Sequence, residues 1–182
     1  MFGVLKNFYL SKSLASSLAK IFVASIIIAF SAHMKLSIGP VPFTMQTIAI
    51  SVVAYALGSK LAVASLCLYV LEGIVGLPVF ASGVGISAIF GTTGGFIVGF
   101  IPMAYIMGLA GDKKVVNVFK LSLYSIFAGI VLFAFGLLVL SLYVSSDKLL
   151  AVGLYPFILP GLVKAIISAM LISPTCRYFG RF

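Results

Sequence analysis

The sequence has little charge and few of the residues that usually carry catalysis or bind metal ions. Its 182 residues include three acidic residues, one histidine, two cysteines and no tryptophan, and 8% of the chain is charged. Ordinary soluble domains are about 25% charged, so this composition excludes a soluble fold. Cys67 lies in the middle of an apolar run and Cys176 near the end of the chain. The sequence therefore predicts neither a disulfide nor a metal site.

These absences also argue against an enzyme. The chain lacks the glycine-rich lysine loop with which P-loop proteins bind ATP. An enzyme working inside a membrane would need a nucleophile and base, or a metal cluster, buried together. Only Lys164, Glu72 and His33 are available for such a role. We therefore expect no catalytic residues and no cofactor.

Apolar residues are what the chain has in abundance, at 63%. A transmembrane helix needs about 20 of them in sequence, and the runs lack the alternation that marks a membrane β-barrel strand. The sequence predicts an all-α integral membrane protein, a six-transmembrane-helix bundle that forms a single membrane domain over residues 1–182. The predicted spans are about 18–33, 43–57, 61–76, 94–110, 121–145 and 152–173.

The basic residues predict the orientation of this bundle. With the N-terminus inside, nine of the twelve lie on the cytoplasmic side, Lys35 and Lys148 lie outside, and Lys164 falls within the last span. Cytoplasmic loops carry an excess of Lys and Arg, so we expect both termini inside. The positive charge thus reflects topology in a lipid bilayer, and we expect no nucleic-acid partner. The nine cytoplasmic residues are Lys6, Lys12, Lys20, Lys60, Lys113, Lys114, Lys120, Arg177 and Arg181.

Three segments rich in proline, glycine and hydroxyl residues fall together on the predicted external face. They are residues 37–47, 76–95 and 153–164. Non-helical backbone at membrane depth is tolerated where it is buried in protein or lines a cavity. The segment 76–95 is therefore expected to fold back over the bundle, and the sequence predicts an external ligand pocket with a lid.

Lys164 is the strongest single candidate for a functional residue. An ammonium group inside an apolar run is costly and usually marks a substrate or ion path. The alternative is that its long stem carries the charge to the external interface. Glu72, near the external end of the third span, is either interfacial or paired with Lys35 or Lys164.

The start of the fourth span is a second candidate. Thr92, Thr93 and Gly94 combine hydroxyls with unshielded N–H groups at a helix N-terminus, which suits an anion or a carbonyl group. Gly95 and Gly99 follow on one face of the same helix. For these two, ligand contact and close helix packing are equally good interpretations.

Four blocks of sequence, in this order and spacing, resemble the BioY family. They are "GPVPFTMQT", "LEGIVGLPVFASGVG", "GTTGGFIVGF" and "YPFILPGLVKA", and the resemblance covers nearly the whole chain. This family is the biotin-binding S component of energy-coupling factor (ECF) transporters. Membership would imply a multi-pass protein of the bacterial cell membrane with an external biotin pocket. A separate membrane scaffold subunit and cytoplasmic ATPase subunits would supply the energy.

Biotin suits the predicted pocket. Its fused ring needs apolar and aromatic walls, its ureido group needs donors and acceptors, and its carboxylate needs a cation or a helix N-terminus. Aromatic walls are expected from Phe80, Phe96 and Phe157, among others. The predicted ligand-binding residues are Phe43, Thr44, Gln46, Ser82, Gly83, Gly85, Thr92, Thr93, Gly94, Gly95, Tyr155 and Lys164.

One position departs from the family pattern and leaves the identity of the vitamin open. The last block of the family typically carries an acidic residue three positions before the lysine, and here that residue is Gly161. One alternative is therefore an S component for another small vitamin. A solitary biotin carrier that needs no energising subunits is a separate alternative.

Overall fold

The computed structural model describes residues 2–36 and 40–179, with side chains at residues 13–36 and 40–173. Four of the basic residues that predict the orientation, and Cys176, have side chains outside this description. The four are Lys6, Lys12, Arg177 and Arg181.

In the described residues the chain forms eight helices and one short antiparallel ribbon. The helices are α1 (Phe2–His33), α2 (Gln46–Leu57), α3 (Ser59–Ile74), α4 (Ile86–Ile89), α5 (Gly94–Asp112), α6 (Val118–Leu140), α7 (Ser146–Gly153) and α8 (Tyr155–Phe179). The ribbon pairs β1 (Lys35–Leu36) with β2 (Phe43–Thr44). The fold is thus mostly helical, as predicted, with a ribbon that the sequence did not indicate.

Within the described part of the chain, four stretches are long and apolar enough to cross a membrane. They are Ser13–His33, Gly94–Asp112, Val118–Leu140 and Ser146–Ser173. α2 has 12 residues and α3 has 16, fewer than the roughly 20 that a perpendicular span requires.

The predicted spans begin and end at somewhat different residues from the helices. The span predicted at 43–57 starts in β2, and its helix begins only at Gln46. Pro42 lacks an N–H group and disfavours a helical conformation at the residue before it, which is consistent with extended backbone at this entrance. The span predicted at 152–173 starts inside α7, and a turn at Leu154 separates α7 from α8. Pro156 is tolerated in the first turn of α8 because N–H groups there have no partner within the helix.

α5 is the central helix of the bundle. In the most apolar 18-residue part of α5, 61% is buried inside the bundle. The corresponding share is 17–28% in the other three stretches that could span a membrane. It packs against α2, α3 and α6, while α1 packs on α2 and α3, and α8 packs on α2 and α6. Gly95 and Gly99 press on the backbone of α6, and Gly108 and Gly111 press on the backbone at the α2–α3 junction. A side chain at Gly95, Gly108 or Gly111 would drive the helices apart, because its Cβ would lie 2.1–2.5 Å from a backbone atom of the neighbouring helix or junction.

The two ends of the bundle differ in structure. One end, here called the ribbon end, carries the β1–β2 ribbon, the segment 75–93 and α7. The opposite end carries the α2–α3 junction and the connection 113–117. There the Asp112 carboxylate accepts hydrogen bonds from the Ser59 backbone N (3.1 Å) and hydroxyl (2.5 Å). The end of α5 therefore caps the first turn of α3.

Candidate ligand-binding site

A cavity of about 80 Å³, here called the ligand cavity, lies inside the ribbon end. Its walls come from the residues preceding and following the start of α2, from α3, α5, α6 and α8, and from Ala81 and Ser82 of the segment 75–93. The cavity thus forms where the predicted external segments meet the helices. Polar groups line one side of it and aromatic rings line the other.

A chain of hydrogen bonds forms the polar side. The Thr44 hydroxyl donates to Gln46 Oε1 (3.3 Å), and Gln46 Nε2 donates to the Tyr69 hydroxyl (3.0 Å). Tyr69 in turn donates to the backbone carbonyl of Val79 (3.2 Å). Because buried polar groups need such partners, this chain fixes the Gln46 amide at the cavity wall. The amide can present both a donor and an acceptor to a ligand.

Lys164 reaches this cavity from α8. Its Nζ donates to the Thr44 carbonyl (2.6 Å) and lies 3.4 Å from the centre of the Phe43 ring. An ammonium group has three N–H donors, so donors remain for a ligand after the bond to Thr44. The ring face attracts the cation, and both contacts hold the ammonium group at the cavity wall.

Aromatic side chains form the other wall. The Phe43 and Phe157 rings stack with their centres 6.4 Å apart, and Phe133 lies 5.9 Å from Phe157. Phe96 meets Phe133 edge to face at 5.7 Å. Aromatic pairs at these separations stabilise one another and provide a flat apolar surface, which a fused ring system can contact.

Side chains from α1 and β1 hold the segment 75–93 over the cavity. His33 Nε2 lies 2.8 Å from the Pro78 carbonyl oxygen, and the Lys35 ammonium donates to the Ala81 carbonyl. Phe80 is buried and packs edge to face on Tyr69, with ring centres 5.4 Å apart. The segment therefore folds back onto the bundle, and Phe80 packs behind the cavity wall rather than lining it.

The later part of this segment is tied down separately. The Thr92 hydroxyl donates to the Pro40 carbonyl (3.2 Å), and the Tyr143 hydroxyl donates to the Phe90 carbonyl. Thr92 thus joins two of the segments that are predicted to be external. Its neighbour Thr93 is buried and lines the cavity.

Half of the predicted ligand-binding residues meet at the ligand cavity. The six that line it are Phe43, Thr44, Gln46, Ser82, Thr93 and Lys164. The six that do not line it are Gly83, Gly85, Thr92, Gly94, Gly95 and Tyr155.

The structure gives these six other surroundings. Gly83 and Gly85 have φ of +74° and +72°, values that a residue with a Cβ rarely adopts, so they shape the segment 75–93. Gly94 fits beneath the Ile89 backbone, and Gly95 faces α6. Tyr155 is 61% exposed.

Sequence reasoning missed several lining residues, including Tyr69, Thr47 and Phe133. Tyr69 carried a usable signal, because a tyrosine inside an apolar helix needs a partner for its hydroxyl. Thr47 also lines the cavity, and its buried Oγ1 has no hydrogen-bond partner among the residues whose side chains are described. Phe133 is one of several phenylalanines on α6, and its sequence position does not distinguish it from the others.

Glu72 lies apart from the cavity. Its Oε1 accepts a hydrogen bond from the Ser25 hydroxyl (2.9 Å), which joins α3 to α1. The pairing with Lys35 or Lys164 that the sequence left open is not the arrangement found, since those ammonium groups donate to the Ala81 and Thr44 carbonyls.

Comparison with known proteins identifies the family. The model of the BioY family matches residues 6–181 of the chain. The chain belongs to the BioY family. The resemblance carried by the four sequence blocks is thereby confirmed, and the chain is a multi-pass membrane protein of a transporter family rather than an enzyme.

Relatives agree with this assignment. The biotin transporter BioY of Thermotoga maritima is 38% identical over 156 residues, 84% of this chain and 90% of that protein. A probable biotin transporter BioY of Pyrococcus horikoshii is 37% identical over 151 residues, 82% of this chain and 88% of that protein. A crystal structure of the S component for biotin from an ECF-type ABC transporter has a TM-score of 0.77. It is 22% identical and aligns over 91% of this chain and 93% of that one, so it shows a shared fold.

Proposed function

We propose that this BioY-family protein is the high-affinity substrate-binding membrane subunit for biotin uptake, the S component of an ECF-type transporter. The names of its relatives and the shared fold support this function. The observation that carries it is the position of Lys164 in the ligand cavity, beside a hydrogen-bonding wall and an aromatic wall.

Each wall matches one part of biotin. The Lys164 ammonium is the counter-ion of the carboxylate, and the Gln46 amide with the Thr44 hydroxyl meets the ureido group. The rings of Phe43 and Phe157 contact the fused bicycle. At about 80 Å³ the ligand cavity is smaller than typical ligand pockets of about 300–1,000 Å³. Biotin therefore needs more room than this cavity alone provides, and the open space beside Gly161, which lines the cavity, can supply it while the segment 75–93 stays over the ligand.

The topology follows the charges. α1, α2, α3, α5, α6 and the α7–α8 stretch would form six spans, with both termini in the cytoplasm and the ribbon end outside. Among the described residues, Lys60, Lys113 and Lys114 lie at the opposite end, as the excess of cytoplasmic Lys and Arg requires. The protein would work in the bacterial cell membrane with a scaffold subunit and cytoplasmic ATPase subunits.

A second candidate function has one observation in its favour. Space is open beside Gly161, because an added Cβ there would meet no atom within 4 Å. A ligand with a group that fills this space would be accommodated, so an S component for another small vitamin is the alternative. A solitary biotin carrier has the same binding site and differs only in needing no energising subunits.

Calorimetry on the purified protein tests the proposal. Biotin is expected to bind at nanomolar to low micromolar concentration, and thiamine, riboflavin and folate are expected not to bind. Binding of one of these vitamins in place of biotin would favour the alternative. Biotin uptake by cells that express the protein with and without a scaffold and ATPases then separates an S component from a solitary carrier.

A further inference from the structure

A second cavity adjoins the ligand cavity. It has a volume of about 440 Å³ and lies between α6 and α8. Three of its lining residues, Ile130, Ile158 and Leu162, are 61%, 47% and 42% exposed. The cavity therefore reaches from the interior of the bundle to the surface between these two helices. We call it the tail cavity.

The two cavities adjoin at one junction, which is formed by the residues that line both of them. The six residues of this junction are Thr47, Leu132, Phe133, Phe157, Gly161 and Lys164. At Gly161 an added Cβ would meet no atom within 4 Å, so the lack of a side chain at this position leaves the junction open. A ligand whose charged end reaches Lys164 is thus at the entrance to the tail cavity.

The chemistry changes from one cavity to the other. The ligand cavity has the Gln46 amide, the Tyr69 hydroxyl and the Lys164 ammonium, whereas the tail cavity is lined almost entirely by aliphatic and aromatic side chains. The Ser168 hydroxyl is one of the few polar groups there, and it donates its hydrogen bond to the Lys164 carbonyl (2.8 Å). The tail cavity therefore offers a ligand apolar contact and few hydrogen bonds.

Thr47 supplies a polar group suited to the junction. Its Oγ1 is buried and has no hydrogen-bond partner among the described side chains. A hydroxyl both donates and accepts hydrogen bonds, while the Lys164 ammonium only donates. Together they can satisfy an amide, with its carbonyl towards Lys164 and its N–H towards Thr47.

From this arrangement we propose that the tail cavity binds the tail of a carboxyl-derivatised ligand. Such a ligand carries an apolar chain joined through an amide to the carboxyl carbon that the free acid presents to Lys164. The site then accepts both biotin and biotin amides with an alkyl chain. This inference rests on the proposed biotin-binding function.

Two neutral probes test it, since they differ only in the tail. They are biotinamide, the primary amide, and N-hexyl biotinamide. The wild-type protein in detergent is expected to bind the hexyl amide at least tenfold more tightly than the primary amide. In Gly129→Leu this affinity ratio is expected to fall below twofold, because the leucine side chain would occupy the tail cavity. Gly129 lines the tail cavity but not the ligand cavity, and an added Cβ there meets no atom within 4 Å. Leu138→Phe, on an exposed part of α6 outside both cavities, is the matched control and keeps the wild-type ratio.

The outcomes are distinct. A ratio near one in the wild type, or a ratio that Gly129→Leu leaves unchanged, overturns the inference. The inference is also overturned if native mass spectrometry finds a phospholipid retained in the tail cavity and the ratio of the two amide affinities stays near one. If Gly129→Leu fails to fold, Ala134→Phe fills the same cavity and is read in the same way. If the wild-type protein binds neither biotin nor either amide, this result contradicts the proposed function instead.

Discussion

Replacing Lys164 with alanine is expected to weaken biotin binding by about 30- to 150-fold. Truncating one partner of a buried, hydrogen-bonded charge pair costs about 2–5 kcal/mol. Lys164 is only partly buried, so the lower part of this range applies, and about 2–3 kcal/mol corresponds to this loss at tenfold per 1.4 kcal/mol. Isothermal titration calorimetry of the purified protein measures the change. Lys164→Met keeps most of the stem and separates loss of charge from loss of packing.

The controls use both ligand and protein. Lys148, an exposed residue of α7 at the same end of the bundle, provides the matched variant, and Lys148→Ala is expected to change biotin affinity by less than twofold. Biotinamide lacks the carboxylate charge, so Lys164→Ala is expected to narrow the difference in affinity between biotin and biotinamide. Unchanged biotin binding in Lys164→Ala would refute the counter-ion role. An equal loss for acid and amide would mean that Lys164 acts by shaping the site.

Three further predictions test other parts of the structure. A cysteine at the exposed Ser87 is expected to react more slowly with a maleimide when biotin is bound, since the segment 75–93 closes over the ligand; equal rates at saturating biotin would contradict closure. Ala19→Leu, on the exposed face of α1, is expected to reduce co-purification with a scaffold subunit but to leave biotin binding unchanged. Ser25→Leu, at a buried position, is expected to lower the melting temperature instead. If Ala19→Leu lowers the melting temperature and Ser25→Leu reduces only co-purification, a scaffold subunit does not bind the exposed face of α1. Tyr69→Phe leaves Gln46 Nε2 and the Val79 carbonyl without the hydrogen bonds that Tyr69 makes to them and is expected to cost about 1–3 kcal/mol of biotin binding or stability; wild-type affinity and melting temperature together would show that this chain of hydrogen bonds is dispensable.

Composition was sufficient to predict the class of fold. Long apolar runs with few charges predict membrane helices whatever their partners, and the helical stretches fall close to the predicted ones. The ribbon could not be predicted, because β1 and β2 are two residues each and their pairing depends on a contact across a connection. The break at Leu154 did carry a sequence signal, because Gly153 and Pro156 flank it and such residues mark turns, but the span predicted at 152–173 did not use it.

The ligand cavity was only half predictable. Lys164 and Gln46 were found because polar groups stand out within apolar sequence. Thr92 and Gly94 also stood out, yet one bonds to the Pro40 carbonyl and the other fits beneath the Ile89 backbone. Local sequence indicates that a hydrogen-bonding group needs a partner, but packing between distant segments decides whether that partner is protein or ligand. For Gly95 the two interpretations were equal, and its contact with α6 favours packing.

The glycine contacts on α5 bear on how the protein can move. A side chain can adopt another rotamer when helices shift, but backbone pressed on backbone has no such freedom in an interior packed as densely as a crystal. α5 meets α6 and the α2–α3 junction in this way, so rotation of any of these helices about α5 brings backbones into collision. We therefore expect α2, α3, α5 and α6 to travel as one rigid body during a transport cycle. Ligand-linked rearrangements would then be confined to α1, α8 and the segment 75–93, which lie around that body.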